Sequence, residues 1–205
     1  SVEGGKISEF VAIKTKHDLD QTTLADTYPV IYNRLLMYIR NGWTIIAEKK
    51  LYTSHYMIAG MIDILLLKGK KFRILDWKSN KDEMRFVSGY YRKVQDAEGN
   101  WIRGTEWVDK DDRMRKPLNN LQVCKGVTYS LQLSLYAYIM EMWGYTLDNT
   151  NNAGLEICHI RPHRKPYMIR VKYYKQDIFR MLEHHRSSGF DNIEDDKVVT
   201  GFGIF

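Results

Sequence analysis

Cysteine is nearly absent from this 205-residue chain. The two that occur, Cys124 and Cys158, lie far apart and neither has a neighbouring cysteine. That spacing excludes a disulfide framework and a zinc or iron–sulfur cluster, and it suits a reducing cytoplasm. No apolar run approaches the length of a membrane-spanning helix, about 18 residues, so no membrane association is expected. The sequence also lacks a secretory leader, an internal repeat, a phosphate-binding P-loop, a dinucleotide-binding glycine pattern and a Gly-x-Ser-x-Gly elbow. These absences remove the commonest nucleotide-binding and serine-hydrolase readings. The composition that remains is globular, with 44% hydrophobic and 27% charged residues, and is long enough for one domain spanning 1–205. A formal net charge of +6 favours a polyanionic partner, with a solvated lysine-rich surface as the alternative.

One stretch organises the chain. Met57 to Leu67 is almost unbroken apolar sequence, and so is Phe72 to Leu75. Between them Lys68-Gly69-Lys70-Lys71 places a glycine where a tight hairpin turn needs positive φ. A two-residue turn at Gly69-Lys70 sets Lys68 against Lys71 and, by the same count, Asp63 against Asp76. Facing carboxylates repel, and burial among Ile62, Ile64, Leu65, Ile74 and Leu75 makes this worse. A cation between them, or a proton on one, removes the conflict. Lys78 is two residues beyond Asp76 and shares its face of the strand. Two acids and a lysine therefore converge, in a donor set suited to Mg²⁺ or Mn²⁺. The competing reading is a pair of strand-end acids with a solvated lysine.

Upstream, Val11 to Ile13 reads as a short strand and His17 to Gln21 as a polar loop. A helix follows, capped by Asp26 or Thr27, with Pro29 in its first turn and Asn41-Gly42 at its end. Trp43 to Tyr52 reads as the first long strand. Glu48 within it faces either the Asp63/Asp76 patch or solvent. Downstream, 79–128 reads as an inserted region. Its hairpin is formed by Tyr90–Val94 and Trp101–Val108, and the charged run Asp109–Lys116 is a loop. Basic residues interleaved with Tyr90, Tyr91, Trp101 and Trp107 suit either contact with a nucleic-acid strand or an ordinary half-polar surface. Tyr129 to Met142 is a strong, nearly all-apolar helix closed by Gly144. Gln132 and Tyr136, four apart, share one face of it. Leu155–Ile160 and Tyr167–Tyr173 read as strands around the basic loop 161–166, where His159 and His163 are not spaced as helical metal ligands and the region suits phosphate contact rather than metal binding. Gln176–Ser187 is an amphipathic helix. Ser1 to Phe10 reads as flexible, Asp191–Asp196 as an exposed acidic run, and both chain ends as continuing into further sequence.

In order, the chain offers a helix, a strand with Glu48, Gly60-x-x-Asp63, Asp76-x-Lys78 and Gln132-x-x-x-Tyr136. This resembles the PD-(D/E)XK nuclease superfamily, and within it the RecB-like exonuclease branch. The run Leu131–Ala137, with Pro117–Leu121 ahead of it, is similar to phage-encoded members. The resemblance covers about Asp26 to Gly144. It implies an α/β fold with a restriction-endonuclease-like core, a mixed central sheet flanked by helices in αβββαβ order. It also implies a metal-dependent DNA exonuclease of phage or bacterial recombination, repair or processing, working in the cytoplasm. Asp63, Asp76 and the Trp77 backbone carbonyl would hold Mg²⁺ or Mn²⁺, with Glu48 as a further acidic position. Lys78 would act on the attacking water, and Gln132 and Tyr136 would orient the site or contact DNA. Two departures stand out: only His17 precedes the strands where many relatives carry a metal-binding histidine on a helix, and two cysteines cannot supply an iron–sulfur cluster. The alternatives are an endonuclease on the same core, a non-catalytic nucleic-acid-binding module, or a domain of a larger helicase–nuclease or packaging protein.

Overall fold

The computed structural model describes residues 12–189, so the readings for Ser1–Phe10 and for Asp191 onward fall outside the described residues. The core is a mixed sheet in the order β1 (Ala12–Ile13), β2 (Thr44–Thr53), β3 (Ile58–Lys68), β4 (Lys71–Ser79), β8 (Leu155–Ile160) and β9 (Tyr167–Arg170). The short β7 (Thr146–Leu147) pairs with the start of β4. Neighbours are antiparallel except β4 with β7 and β8, which run parallel. A parallel neighbour cannot be reached through a tight turn. The chain therefore leaves β4, forms the separate hairpin β5 (Gly89–Gln95) and β6 (Trp101–Asp109), and returns through α4 (Lys125–Met142).

The hairpin register is the one expected from the two-residue turn. Lys68 pairs with Lys71, and the rungs run unbroken to Ile64–Leu75, with Gly69 at φ +60°. Helix α4 covers one face of the sheet. Its Leu133, Ala137, Ile139 and Met140 pack on Ile46, Ile62, Leu65, Phe72, Ile74 and Ile157. Helices α1 (Lys16–Asp20) and α3 (Pro29–Arg40) cover the other face through Leu19, Ile31, Leu35 and Leu36, packed on Ile45, Ile64, Leu66 and Leu75. Each such side chain contributes about 1.5–3 kcal/mol on leaving water. Helix α5 (Lys175–Gly189) packs Ile178 and Leu182 against Tyr56 and the outer side of α4. No helix among the described residues is long and apolar enough to cross a membrane.

Four local expectations change. His17 to Gln21 is not a loop: α1 forms because Thr15 and Asp18 build a reciprocal capping box. Helix α3 is capped by Tyr28, with Pro29 at its first position, while Asp26 and Thr27 belong to the short α2 (Leu24–Thr27). Helix α4 begins at Lys125, four residues ahead of Tyr129, and β9 stops at Arg170. Strict alternation also fails in the middle of β2 and β3. Ile62 and Leu65 both enter the α4-side core, as do Ile46 and Leu51. The phase breaks at Glu48, φ +51°, where the ladder skips the rung between Ala47–Ile64 and Lys49–Ile62. That skipped rung is the one on which Glu48 and Asp63 stand.

Candidate active site

Strands β3 and β4 bring Asp63, Asp76 and Lys78 together. Asp76 is buried, whereas Asp63 is half-buried and accepts a hydrogen bond from the Trp77 backbone N–H at 2.9 Å. The Lys78 ammonium lies 2.7 Å from Asp76 Oδ2. It pairs by distance but is not aligned for a hydrogen bond, so this buried oxygen has no hydrogen-bond partner. The Asp76 carboxyl titrates at about 6, raised from 3.8. Burial is the largest cause; Lys78 pulls the value down and Asp63 pushes it back up.

Helix α4 closes this face. The Tyr129 ring lies 4.7 Å from the Lys78 ammonium, a cation–π contact, and the Tyr129 hydroxyl donates to Asn80 Oδ1 at 3.4 Å. One helical turn on, Gln132 Nε2 donates to the Tyr136 hydroxyl at 2.9 Å, so the two residues paired by spacing are paired in space. The Tyr136 ring lies against Gly60, where an added Cβ would come within 2.6 Å of it. The glycine of Gly-x-x-Asp is thus what lets α4 approach β3 closely enough to stand over the carboxylates.

Glu48 is brought to the strand position across from Asp63, but its side chain is exposed. Among the described residues no group of three His, Cys, Asp or Glu side chains is placed to hold a metal, so neither Glu48 nor the exposed His17 joins the pair. A pair is enough for Mg²⁺, which keeps several waters and commonly uses one or two carboxylates. The buried Asp76 Oδ2, without a hydrogen bond and beside Asp63, fits such an ion, with the backbone carbonyl of Trp77, the next residue after Asp76, as a further oxygen donor.

In the hairpin the aromatics divide into two groups. Tyr91 and Trp107 pack edge to face at 5.0 Å, with Arg103 3.7 Å from the Tyr91 ring and Arg85 4.6 Å from the Trp107 ring. Arg103 also pairs with Asp82 at 2.7 Å, which ties the hairpin to the segment leaving β4. These groups hold the hairpin together. Trp101, 66% exposed, and Tyr90 remain at the surface.

The sequence marks His159 as part of a region suited to phosphate contact but does not place it beside Lys78. The parallel register sets it beside Lys78, fully buried, with Nδ1 2.8 Å from the Tyr167 hydroxyl. Parallel register depends on a long crossover and leaves no local signal. His163, on the loop after β8, is exposed. No family model, no curated protein and no solved structure matches the chain.

Proposed function

We propose that the chain is a Mg²⁺- or Mn²⁺-dependent DNA exonuclease of the PD-(D/E)XK type, RecB-like, with a restriction-endonuclease-like core. The observation that carries this reading is Asp76 Oδ2, a buried acceptor without a hydrogen bond, beside a second carboxylate and a lysine. A cluster kept in this state destabilises the fold, which is the mark of a site kept for chemistry. The order α3-β2-β3-β4-α4-β8 and the placing of Gln132 and Tyr136 over β3 support the same reading.

Asp63, Asp76 and the Trp77 carbonyl would hold the cation, which would supply a lowered water pKa and compensation for the charge that grows on the phosphoryl oxygens. Lys78, held between the Asp76 carboxylate and the Tyr129 ring, orients the attacking water and donates to a non-bridging phosphate oxygen. Water adds to phosphorus and gives up a proton to solvent, the P–O bond to the leaving strand breaks, and the leaving oxygen takes up a proton from solvent water. Gln132 fixes the Tyr136 hydroxyl and so orients the ring that packs on Gly60 of β3.

Cleavage of end-labelled linear and covalently closed DNA, with Mg²⁺, Mn²⁺ or EDTA, tests the proposal. The parent should degrade linear DNA alone and only with metal, and Lys78→Ala should lose this activity. Cutting of closed circles would replace exonuclease with endonuclease on the same residues. DNA bound but never cleaved, with every divalent ion tried, would reduce the chain to a binding module.

A further inference from the structure

Beyond the carboxylates lies a second group of unsatisfied atoms, and all of them belong to residues that can donate. Asn80 Nδ2, His159 Nε2 and Arg161 Nε are buried and have no hydrogen-bond partner. The register of β4 and β8 places them at one end of the pair: Lys78 pairs with His159 and Ser79 with Ile160, and Asn80 and Arg161 are the residues that directly follow these two strand ends. The group therefore sits at the carboxyl ends of two adjacent parallel strands, where open α/β sheets bind their ligands.

Each member is oriented. Asn80 turns its Oδ1 to the Tyr129 hydroxyl, which leaves its amide N–H groups facing away. Burial first, and then the charge of Arg161, lower the His159 pKa and so disfavour the imidazolium. His159 Nδ1 lies 2.8 Å from the Tyr167 hydroxyl, and the tautomer in which that hydroxyl donates puts the ring proton on Nε2. The Asn80 backbone carbonyl lies near this imidazole without an aligned hydrogen bond to Nε2. Leaving such donors dry costs about 1–3 kcal/mol each. An anion with several acceptor oxygens satisfies all three at once.

We infer that Asn80, His159 and Arg161 form a subsite for a nucleic-acid phosphate next to the one being cleaved, beside Lys78 at the ends of β4 and β8. The inference rests on the proposed hydrolysis of nucleic acid and adds where the flanking strand is held. Arg161 supplies the charge, Asn80 and His159 supply uncharged donors, and the exposed Arg164 and Lys165 of the same loop extend the positive field outward.

The test is the binding of a short fluorescein-labelled DNA by anisotropy, with Ca²⁺ in place of Mg²⁺, over a range of salt. Arg161→Ala should weaken binding about tenfold and lower the slope of log K against log salt by about one. Asn80→Ala should weaken binding by about threefold or more with the slope unchanged, because it removes no charge. Arg161→Lys should restore the slope but not the full affinity. His159→Gln keeps a donor in the buried position and should bind more tightly than His159→Leu. If the parent binds and both alanine variants match it in affinity and slope, the donors serve ordered water and the subsite is overturned alone. A parent that neither binds nor cleaves DNA overturns the nuclease reading and the subsite together.

Discussion

Two carboxylates sit on adjacent strands, one rung apart, and face opposite sides of the sheet. Asp76 on β4 and Glu156 on β8 are equally buried, each with 2% of its side chain exposed. Glu156 is fully engaged. Tyr38 donates to its Oε2 at 2.8 Å, Arg34 donates to its Oε1, and Arg170 Nε stands 3.7 Å away. Asp76 has one misaligned lysine, a neighbouring carboxylate and an oxygen without a hydrogen bond. Burial costs both acids their hydration, but only Glu156 recovers it within the protein. On the proposed reading, the difference separates a structural acid from one that a bound cation would satisfy.

The largest effect expected from breaking this comparison is on cleavage. Asp76→Asn and Lys78→Ala should each slow metal-dependent cleavage about a thousandfold or more, while Glu156→Gln should leave the rate per folded molecule near that of the parent. Single-turnover rates on linear DNA measure this. Stability should move in opposite directions. Glu156→Gln strands Arg34 and should cost about 3 kcal/mol in urea unfolding. Asp76→Asn should instead stabilise the fold by about 3 kcal/mol at pH 7, because it removes the cost of ionising a buried carboxyl whose pKa is raised from 3.8 to about 6.

The pH dependence of the parent sharpens the same contrast. Folded Asp76 holds its proton more tightly than the unfolded chain does, with a pKa of about 6 against 3.8. Its contribution to stability is therefore fully present below 3.8 and is lost as pH rises through about 6. Melting temperatures across this window should show the loss in the parent and not in Asp76→Asn. The smallest effect concerns Gly60. Gly60→Ala should cost about 1–3 kcal/mol by overpacking against Tyr136, and should slow cleavage because α4 is pushed off the site. Combining Gly60→Ala with Tyr136→Leu should recover stability without recovering cleavage.

Much of the hairpin was legible in the sequence because its logic is local. A two-residue turn sets every rung, so the meeting of Asp63 and Asp76 follows from counting, and Lys78 follows from alternation. Gln132 and Tyr136 were legible for the same reason, since four residues is one turn of helix. The kink at Glu48 was not legible. Its positive φ belongs to a rung at which two strands change phase together, and neither strand alone signals it. The placing of His159 beside Lys78, and Asn80 altogether, were not legible because their neighbourhood depends on parallel pairing across a long crossover. Glu156 lay in an apolar run much as Asp76 did. Sequence could not tell the satisfied acid from the unsatisfied one, because the partners Tyr38 and Arg34 come from a helix 118 and 122 residues away.

The most direct measurement is Mn²⁺ uptake by the parent, Asp76→Asn and Glu156→Gln at neutral pH, followed by loss of the free-ion EPR signal below the melting temperature of each. The account predicts binding by the parent and Glu156→Gln and its loss in Asp76→Asn. Equal uptake by all three proteins, or none by the parent, would contradict the assignment of Asp76 as a metal ligand.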